Sequence, residues 1–263
     1  MSALVLGFDT ATDRCALALG RWSPDGLETI ASADFEAPRA ALGRLLPAVR
    51  DLLVAESVTP TDLCEVVVGR GPGSFTGVRI GVATAKGLAH GLGVPLLGAG
   101  TLDAVAWACA AAGHTGLLGV VGDAMRGEVY PALFRLENGS ARRLSDDRVA
   151  HPPDAAAEWE ALDEGLLLTG GGLHKHGEVF HGLEQAGAEV LPRELWLPGG
   201  AGLLAAYANA RARGEAGDGQ PQTLLPVYTR LSDAEENERV REGGDRTVPA
   251  SGVADVREGG GQT

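Results

Sequence analysis

The sequence predicts an α/β fold, a mixed sheet covered by helices on both faces. Short apolar runs alternate with stretches whose apolar residues recur at helical spacing. The first part reads β-β-β-α-β-α-β, and strands followed by crossover helices call for a sheet packed on both sides. A second series of strands starts near Leu117, so the 263 residues give room for one large or two modest domains.

Leu4 to Asp9 and Cys15 to Leu19 are apolar runs joined by Thr10-Ala-Thr-Asp-Arg14, which reads as a hairpin. A third strand is expected near Glu28 to Phe35. Leu42 to Ala55 carries apolar residues at 42, 45, 46, 49, 52 and 53, a helical stripe. Thr59-Pro60-Thr61-Asp62 has the composition of a helix start. Val66 to Val68 is a strand, followed by a glycine-rich turn and a helix over 74–90. Val94 to Leu97 and Thr101 to Ala112 read as a further strand and helix.

In the second series, Leu117 to Asp123 and Glu128 to Leu136 are strands, and Asn138-Gly139 is a turn signal. His151-Pro-Pro153 breaks the chain before a helical stretch at 154–162. Leu166 to Thr169 is a strand ending in Gly170-Gly-Gly172, Val190 and Leu191 form a short strand, and Ala201 to Arg213 is an alanine-rich helix. Both halves start with strands and end in a helix, as a distant duplication would, although no sequence identity joins them. The resulting division is 1–115, 116–231 with its last helix packing back on the first lobe, and 232–263 as a disordered tail.

Hydrophobic content of 44% and charged content of 22% are those of an ordinary globular protein. The absence of a long uncharged apolar stretch argues against a membrane span. The N-terminus has no basic region of a signal peptide. Cys15, Cys64 and Cys109 are widely spaced in apolar surroundings, the pattern of buried thiols in a reducing cytoplasm. Net charge is −13, and residues 1–130 hold nine Lys and Arg against thirteen Asp and Glu. Gripping a nucleic-acid backbone needs clustered cations, so this chain is not expected to hold nucleic acid firmly by itself.

The most informative stretch is Gly69-Arg-Gly-Pro-Gly-Ser-Phe-Thr-Gly-Val-Arg-Ile-Gly81. It places a glycine turn between a strand and a helix N-terminus, a spot attractive to an anion. Gly77, Gly81 and Ala85 recur every four residues and make a small-residue face along the helix. Each helical glycine costs roughly 1 kcal/mol against alanine, which suits close packing of another helix or backbone. The stretch can thus serve as a ligand loop, a docking surface, or a tight turn that needs glycine conformations. It is not a Walker A motif, since no Lys follows its last glycine before Ser74, nor a nucleophile elbow, since Ser74 directly follows Gly73.

Asp9, Thr10 and Thr12 at the first hairpin could face a phosphate or a magnesium-bound water, or merely cap their own turn. Gly170 and Gly171 could let a nucleotide approach the backbone, or be a plain loop. The histidines are His90, His114, His151, His174, His176 and His181; none forms an H-x-x-x-H pair, and His174-Lys-His176 is read as solvent-exposed. Asp123 and Glu128 flank Arg126, an arrangement more common for surface ion pairs than for acid/base chemistry.

Taken together, Asp9-Thr-Ala-Thr12, the Gly69–Gly81 segment, Asp123-Ala-Met-Arg-Gly-Glu-Val-Tyr130 and Pro226-Val-Tyr-Thr-Arg230 closely resemble the TsaB (YeaZ) family over roughly residues 3–230. The family often has Asp-Ala-Arg before Glu-Val-Tyr; here Met125 and Arg126 stand in swapped order. The resemblance implies an actin-like, sugar-kinase-like fold of two ribonuclease-H-like lobes. It implies a role in making N6-threonylcarbamoyladenosine on the tRNA adenosine beside the anticodon.

In that pathway the catalytic paralogue TsaD holds the metal and transfers the threonylcarbamoyl group. A TsaB-like subunit is its non-catalytic dimerisation partner, and the ATPase TsaE joins the assembly; homodimers also occur. The paralogue has an H-x-x-x-H pair shortly after the long helix, where this chain has Leu97-Gly-Ala-Gly-Thr-Leu-Asp103. The expected docking surface is therefore Gly73, Phe75, Thr76, Gly77, Val78, Ile80, Gly81, Thr84 and Ala85. The resemblance implies no catalytic residue, metal or cofactor of the chain's own. It leaves room for weak nucleotide binding at a degenerate site of Asp9, Thr10, Thr12, Gly170 and Gly171. Contact with tRNA would come only through the complex. An independent actin-fold ATPase or small-molecule kinase is the alternative from another class, and a metallopeptidase is a third.

Overall fold

The first two strands are buried along almost their whole length, so both faces of the sheet they start must be covered. A computed structural model describes residues 3–37, 41–162 and 164–229. The expected tail at 232–263 lies outside the described residues. Strands β1 (Ala3–Asp9) and β2 (Arg14–Ser23) form the expected hairpin, with Asp9 opposite Ala16. β3 (Gly26–Ser32) continues antiparallel, and the two-residue β4 (Phe35–Glu36) pairs with the start of β2. Helix α1 (Ala41–Ala55) and a 3-10 turn at Pro60–Asp62 lead to β5 (Leu63–Gly69). That turn starts with a capping box in which Thr59 and Asp62 satisfy each other. Helix α2 (Phe75–Leu92) is capped by Ser74 and ends at Gly93 in the left-handed region. β6 (Leu96–Ala99) and α3 (Thr101–Ala111) close the first series.

The second series is β7 (Gly116–Asp123), β8 (Val129–Glu137), β9 (Ser140–Arg143), α4 (Pro152–Glu160), β10 (Leu166–Thr169), α5 (Leu173–Gln185), β11 (Glu189–Val190) and α6 (Gly200–Ala212). Helix α4 starts earlier than 154, because Pro152 and Pro153 occupy its first turn, where a missing N–H costs nothing. Helix α5 and strand β9 lie where no element was expected.

The first sheet runs β3-β2-β1-β5-β6 and the second β9-β8-β7-β10-β11. In each, the first three strands in sequence are antiparallel and the last two join the first in parallel. One topology is thus used twice, which is the two-lobed arrangement of mixed sheets expected above.

Helices α1 and α2 cover one face of the first sheet, through Leu45, Val49, Val78 and Val82. Its other face packs on α6, where Leu203, Leu204 and Tyr207 meet Val5, Ala18 and Val67. Helix α3 lies against α6 and also under the second sheet, whose far face carries α4 and α5. The described residues up to Tyr228 form one compact unit. α6 comes close to α3 because a Cβ on Gly202 would sit 2.3 Å from the Ala104 carbonyl oxygen.

Candidate functional site

Helix α2 and the glycine turn before it are the natural starting point. The turn returns over the end of β1: Ser74 N–H donates to the Ala11 carbonyl at 2.7 Å, and the Thr10 hydroxyl donates to the Gly77 carbonyl at 2.7 Å. The small-residue face expected to receive a partner is instead filled by the chain itself. A Cβ on Gly77 would lie 2.1 Å from the Thr10 carbonyl oxygen, and one on Gly81 2.6 Å from Thr10 Oγ1. Ala85 and Val78 are buried with them. These glycines are there so that α2 can lie on the hairpin. Gly77, Val78, Gly81 and Ala85 are therefore removed from the docking surface.

The opposite side of α2 is open. Phe75, Thr76, Arg79, Ala83, Gly87 and Gly91 are exposed, and Gly73, Ile80 and Thr84 are half-buried beside them. Nothing lies within 4 Å of a Cβ built on Gly87 or Gly91. A second small-residue row thus faces outward, one or two positions from the one the spacing singled out.

A strap at 220–228 runs alongside. Val227 N–H donates to the Arg70 carbonyl at 2.8 Å, Arg70 Nε donates to the Leu225 carbonyl at 2.9 Å, and Leu224 is buried in the core of the first lobe. Among the described residues, the exposed large apolar side chains are Leu46 and Val54 on α1, Phe75 on α2, Leu225 and Tyr228 on the strap, and Met125, Leu144 and Val179 in the second series. Helix α1 packs beside α2. Exposed apolar side chains of this kind can be covered by a protein partner. Arg79 and Tyr228 belong to this surface, although the sequence reading had not placed them there; Tyr228 lies in the Pro226–Arg230 motif already noted.

The degenerate nucleotide site looks different in three dimensions. Asp9 is fully buried. Its Oδ1 accepts the Ala11 N–H at 2.7 Å, and its Oδ2 accepts the Thr101 hydroxyl at 2.6 Å. Thr101 Oγ1 in turn accepts the Gly71 N–H at 3.1 Å. Burial lifts the Asp9 carboxyl above its usual range, against the pull of these two donors. The Thr10 hydroxyl is spent on Gly77, and Thr12 Oγ1 bonds Arg14 within its own turn. Gly170 adopts a φ of +118° and its Cα faces Val121, while Gly172 N–H bonds the Val121 carbonyl. Only Gly171 of this loop is part-exposed. The carboxylate and hydroxyls are used to close the chain on itself, so they do not fit a phosphate or a hydrated magnesium ion.

Among the described residues, no group of three His, Cys, Asp or Glu is placed to hold a metal ion. His174 is exposed and stacks edge-on against Trp196, whereas His176 is half-buried, which corrects the expectation of two exposed histidines. Asp123 pairs with Lys175 of α5 rather than with an acid/base partner. No helix among the described residues is long and apolar enough to cross a membrane.

Known proteins bear on this geometry. TsaB of Escherichia coli K12, named a tRNA threonylcarbamoyladenosine biosynthesis protein, is 35% identical over 229 residues, 86% of this chain and 94% of the relative. The chain belongs to the TsaB family. The protein of the same name from Bacillus subtilis 168 is 33% identical over 199 residues, 73% of this chain and 80% of the relative. A family model described as TsaD, tRNA N6-adenosine threonylcarbamoyltransferase, matches residues 35–166. Among solved structures, YeaZ from Pseudomonas aeruginosa superimposes with a TM-score of 0.71 at 30% identity, over 86% of this chain and 99% of that one. Members of the TsaB family therefore share both the sequence pattern and the two-lobed fold described above.

Proposed function

We propose that this chain is the non-catalytic dimerisation subunit needed for threonylcarbamoyl transfer to the tRNA adenosine beside the anticodon. It pairs with the catalytic paralogue TsaD through the outward side of α2, helped by α1 and the strap. The observation that carries this reading is the contrast between two surfaces. Asp9 and Thr10 are consumed by internal hydrogen bonds, whereas α2 offers a small-residue row at Gly87 and Gly91 that no described residue covers. A row of small residues at Ala83, Gly87 and Gly91 admits a helix at close range, and Phe75 and Ile80 supply apolar area at its start.

In this reading the chain needs no cofactor of its own; ATP and a metal act in the complex, the metal held by the partner. TsaE joins the assembly, tRNA is reached only through it, and the same face can also support a homodimer. The work takes place in the cytoplasm.

Reconstitution tests the proposal. Cognate TsaD, TsaE, tRNA, ATP and threonylcarbamoyl-adenylate are combined with and without this chain. Modified nucleoside is expected only when the chain is present. Its formation by this chain alone, or undiminished formation without it, overturns the proposal.

A further inference from the structure

Arg79 leaves α2 between two aromatic rings. Its guanidinium carbon lies 3.8 Å from the Phe75 ring centroid and 5.7 Å from that of Tyr228. Its Nε donates to the Tyr228 hydroxyl at 3.0 Å, and the two rings lie 5.4 Å apart at 40°. Tyr228 is itself held in place by the strap, pinned at Arg70 and by the buried Leu224. Among the described residues, Nη1 and Nη2 of Arg79 meet no acceptor. A guanidinium whose plane is fixed by stacking, and whose Nε is already used, presents its two terminal nitrogens in one set direction. That edge matches the two oxygens of a carboxylate.

The charge around it points the same way. No Asp or Glu lies between Glu65 and Asp103, a stretch holding Arg70, Arg79 and Lys86, in a chain whose net charge is −13. The strap at 220–228 carries no charge at all. The exposed rings of Phe75 and Tyr228 flank the guanidinium with apolar surface, which excludes water once a partner is seated. A nucleic-acid backbone would call for several free cations in a row, and Arg70 is already bonded through Nε to the strap.

We propose that Arg79 is the specificity-determining contact of the docking face, receiving an Asp or Glu carboxylate of a partner protein in a bidentate ion pair, with Tyr228 as its positioning residue. The inference rests on the docking reading above. It deepens that reading by naming the chemistry the partner must present opposite the first turn of α2.

The affinity of the full-length chain for the purified catalytic paralogue is measured by calorimetry at low and high salt, with circular dichroism checking the fold of each variant. Arg79→Gln should weaken binding about 30-fold or more and flatten its salt dependence. Arg79→Lys should do nearly as badly, because an ammonium cannot bind bidentately. Tyr228→Phe, which keeps the ring and loses the hydroxyl, should cost about 3- to 10-fold. Combined with Arg79→Gln, it should add nothing, as expected if it acts through the guanidinium. Gly87→Leu, which blocks the open row, serves as the control for docking itself.

If Gly87→Leu abolishes binding while Arg79→Gln binds like wild type, the docking reading stands and the Arg79 inference is overturned. If neither variant changes affinity, docking through α2 fails as well. A normal affinity for the paralogue with weakened tRNA capture by the assembled complex assigns Arg79 to a phosphate and also overturns the inference.

Discussion

Asp9 and Thr101 meet at 2.6 Å, joining the end of β1 to the first residue of α3 across 92 positions of sequence. This hydrogen bond, together with Ala11 N–H on the other oxygen, closes the place where an actin-like lobe could receive a phosphate. Removing the carboxylate leaves two buried donors unpaired, at about 1–3 kcal/mol each. Asp9→Ala should therefore lose about 2–5 kcal/mol in urea unfolding. An Asp9→Ala protein as stable as wild type would argue against the structural role.

The pH dependence of the same residue has a definite sign. Burial raises the carboxyl above its ordinary value of 3.8. A raised carboxyl pKa contributes stability that is complete below 3.8 and is lost as pH rises through the folded value. Asp9→Asn has no such proton. The stability difference between wild type and Asp9→Asn should move in favour of wild type as pH falls from 7 towards 4. A difference that stays constant with pH in denaturant titrations would contradict the assignment.

A second buried carboxylate ties the last helix to the first sheet. Glu65 of β5 accepts the Tyr207 hydroxyl at 2.5 Å and the Trp22 indole N–H at 3.1 Å, and it pairs with Arg211. Tyr207 is fully buried, while the Arg211 side chain is 46% exposed. Glu65→Ala strands a buried hydroxyl and a half-buried indole N–H and should be the most damaging change. Tyr207→Phe should cost about 1.5–3 kcal/mol, the worth of a hydrogen bond to a charged group. Arg211→Ala, partly screened by water, should cost about 1 kcal/mol or less. Thermal melts giving a different order would mean that α6 is held chiefly by Leu203 and Leu204.

Most elements of this fold were legible because their patterns are local. The Val66–Val68 run, the Ser74 cap and the stripe of α1 each announce themselves within a few residues. Helix α5 did not, since Leu173, Phe180 and Leu183 are its only buried residues and two glycines and three histidines break up the stripe between them. Strand β9 is four mostly polar residues, yet the Asn138-Gly139 turn before it demands a returning strand and was the available signal.

The site was half legible. Spacing identified a small-residue face on α2, but periodicity gives a face and not its occupant, and Thr10 occupies that one. The role of Asp9 depends on Thr101, and that of Arg79 on Tyr228. Neither pairing is written in local sequence.

The thiols give an independent check on burial. Cys15 and Cys109 are buried, which pushes both up to about 12. Cys64 is raised as well, chiefly by burial, but it is only partly covered. The thiolate is the reacting species, so covered, high-pKa thiols react slowly. At pH 8 in the folded protein, iodoacetamide should label Cys64 first, with Cys15 and Cys109 following only on unfolding. Mass spectrometry that found Cys15 labelled first would mean the β1–β2 core opens readily.

The two sides of α2 make opposite predictions for one type of substitution. Gly81→Leu forces a side chain into Thr10, already 2.6 Å from a bare Cβ, and the hairpin beneath has no room to move. That variant should lose more than about 3 kcal/mol, or be recovered only as aggregate, because the added side chain overpacks a buried contact and displaces the Thr10 hydroxyl from its hydrogen bond to Gly77. Gly87→Leu meets nothing within 4 Å, and leucine is a better helix former than glycine by close to 1 kcal/mol. Its melting temperature should equal or exceed that of wild type. The bulk it adds stands on the outward row, so the folded variant should fail to co-elute with the catalytic paralogue on a sizing column. Normal co-elution of a stable Gly87→Leu protein would move the docking surface away from α2 altogether.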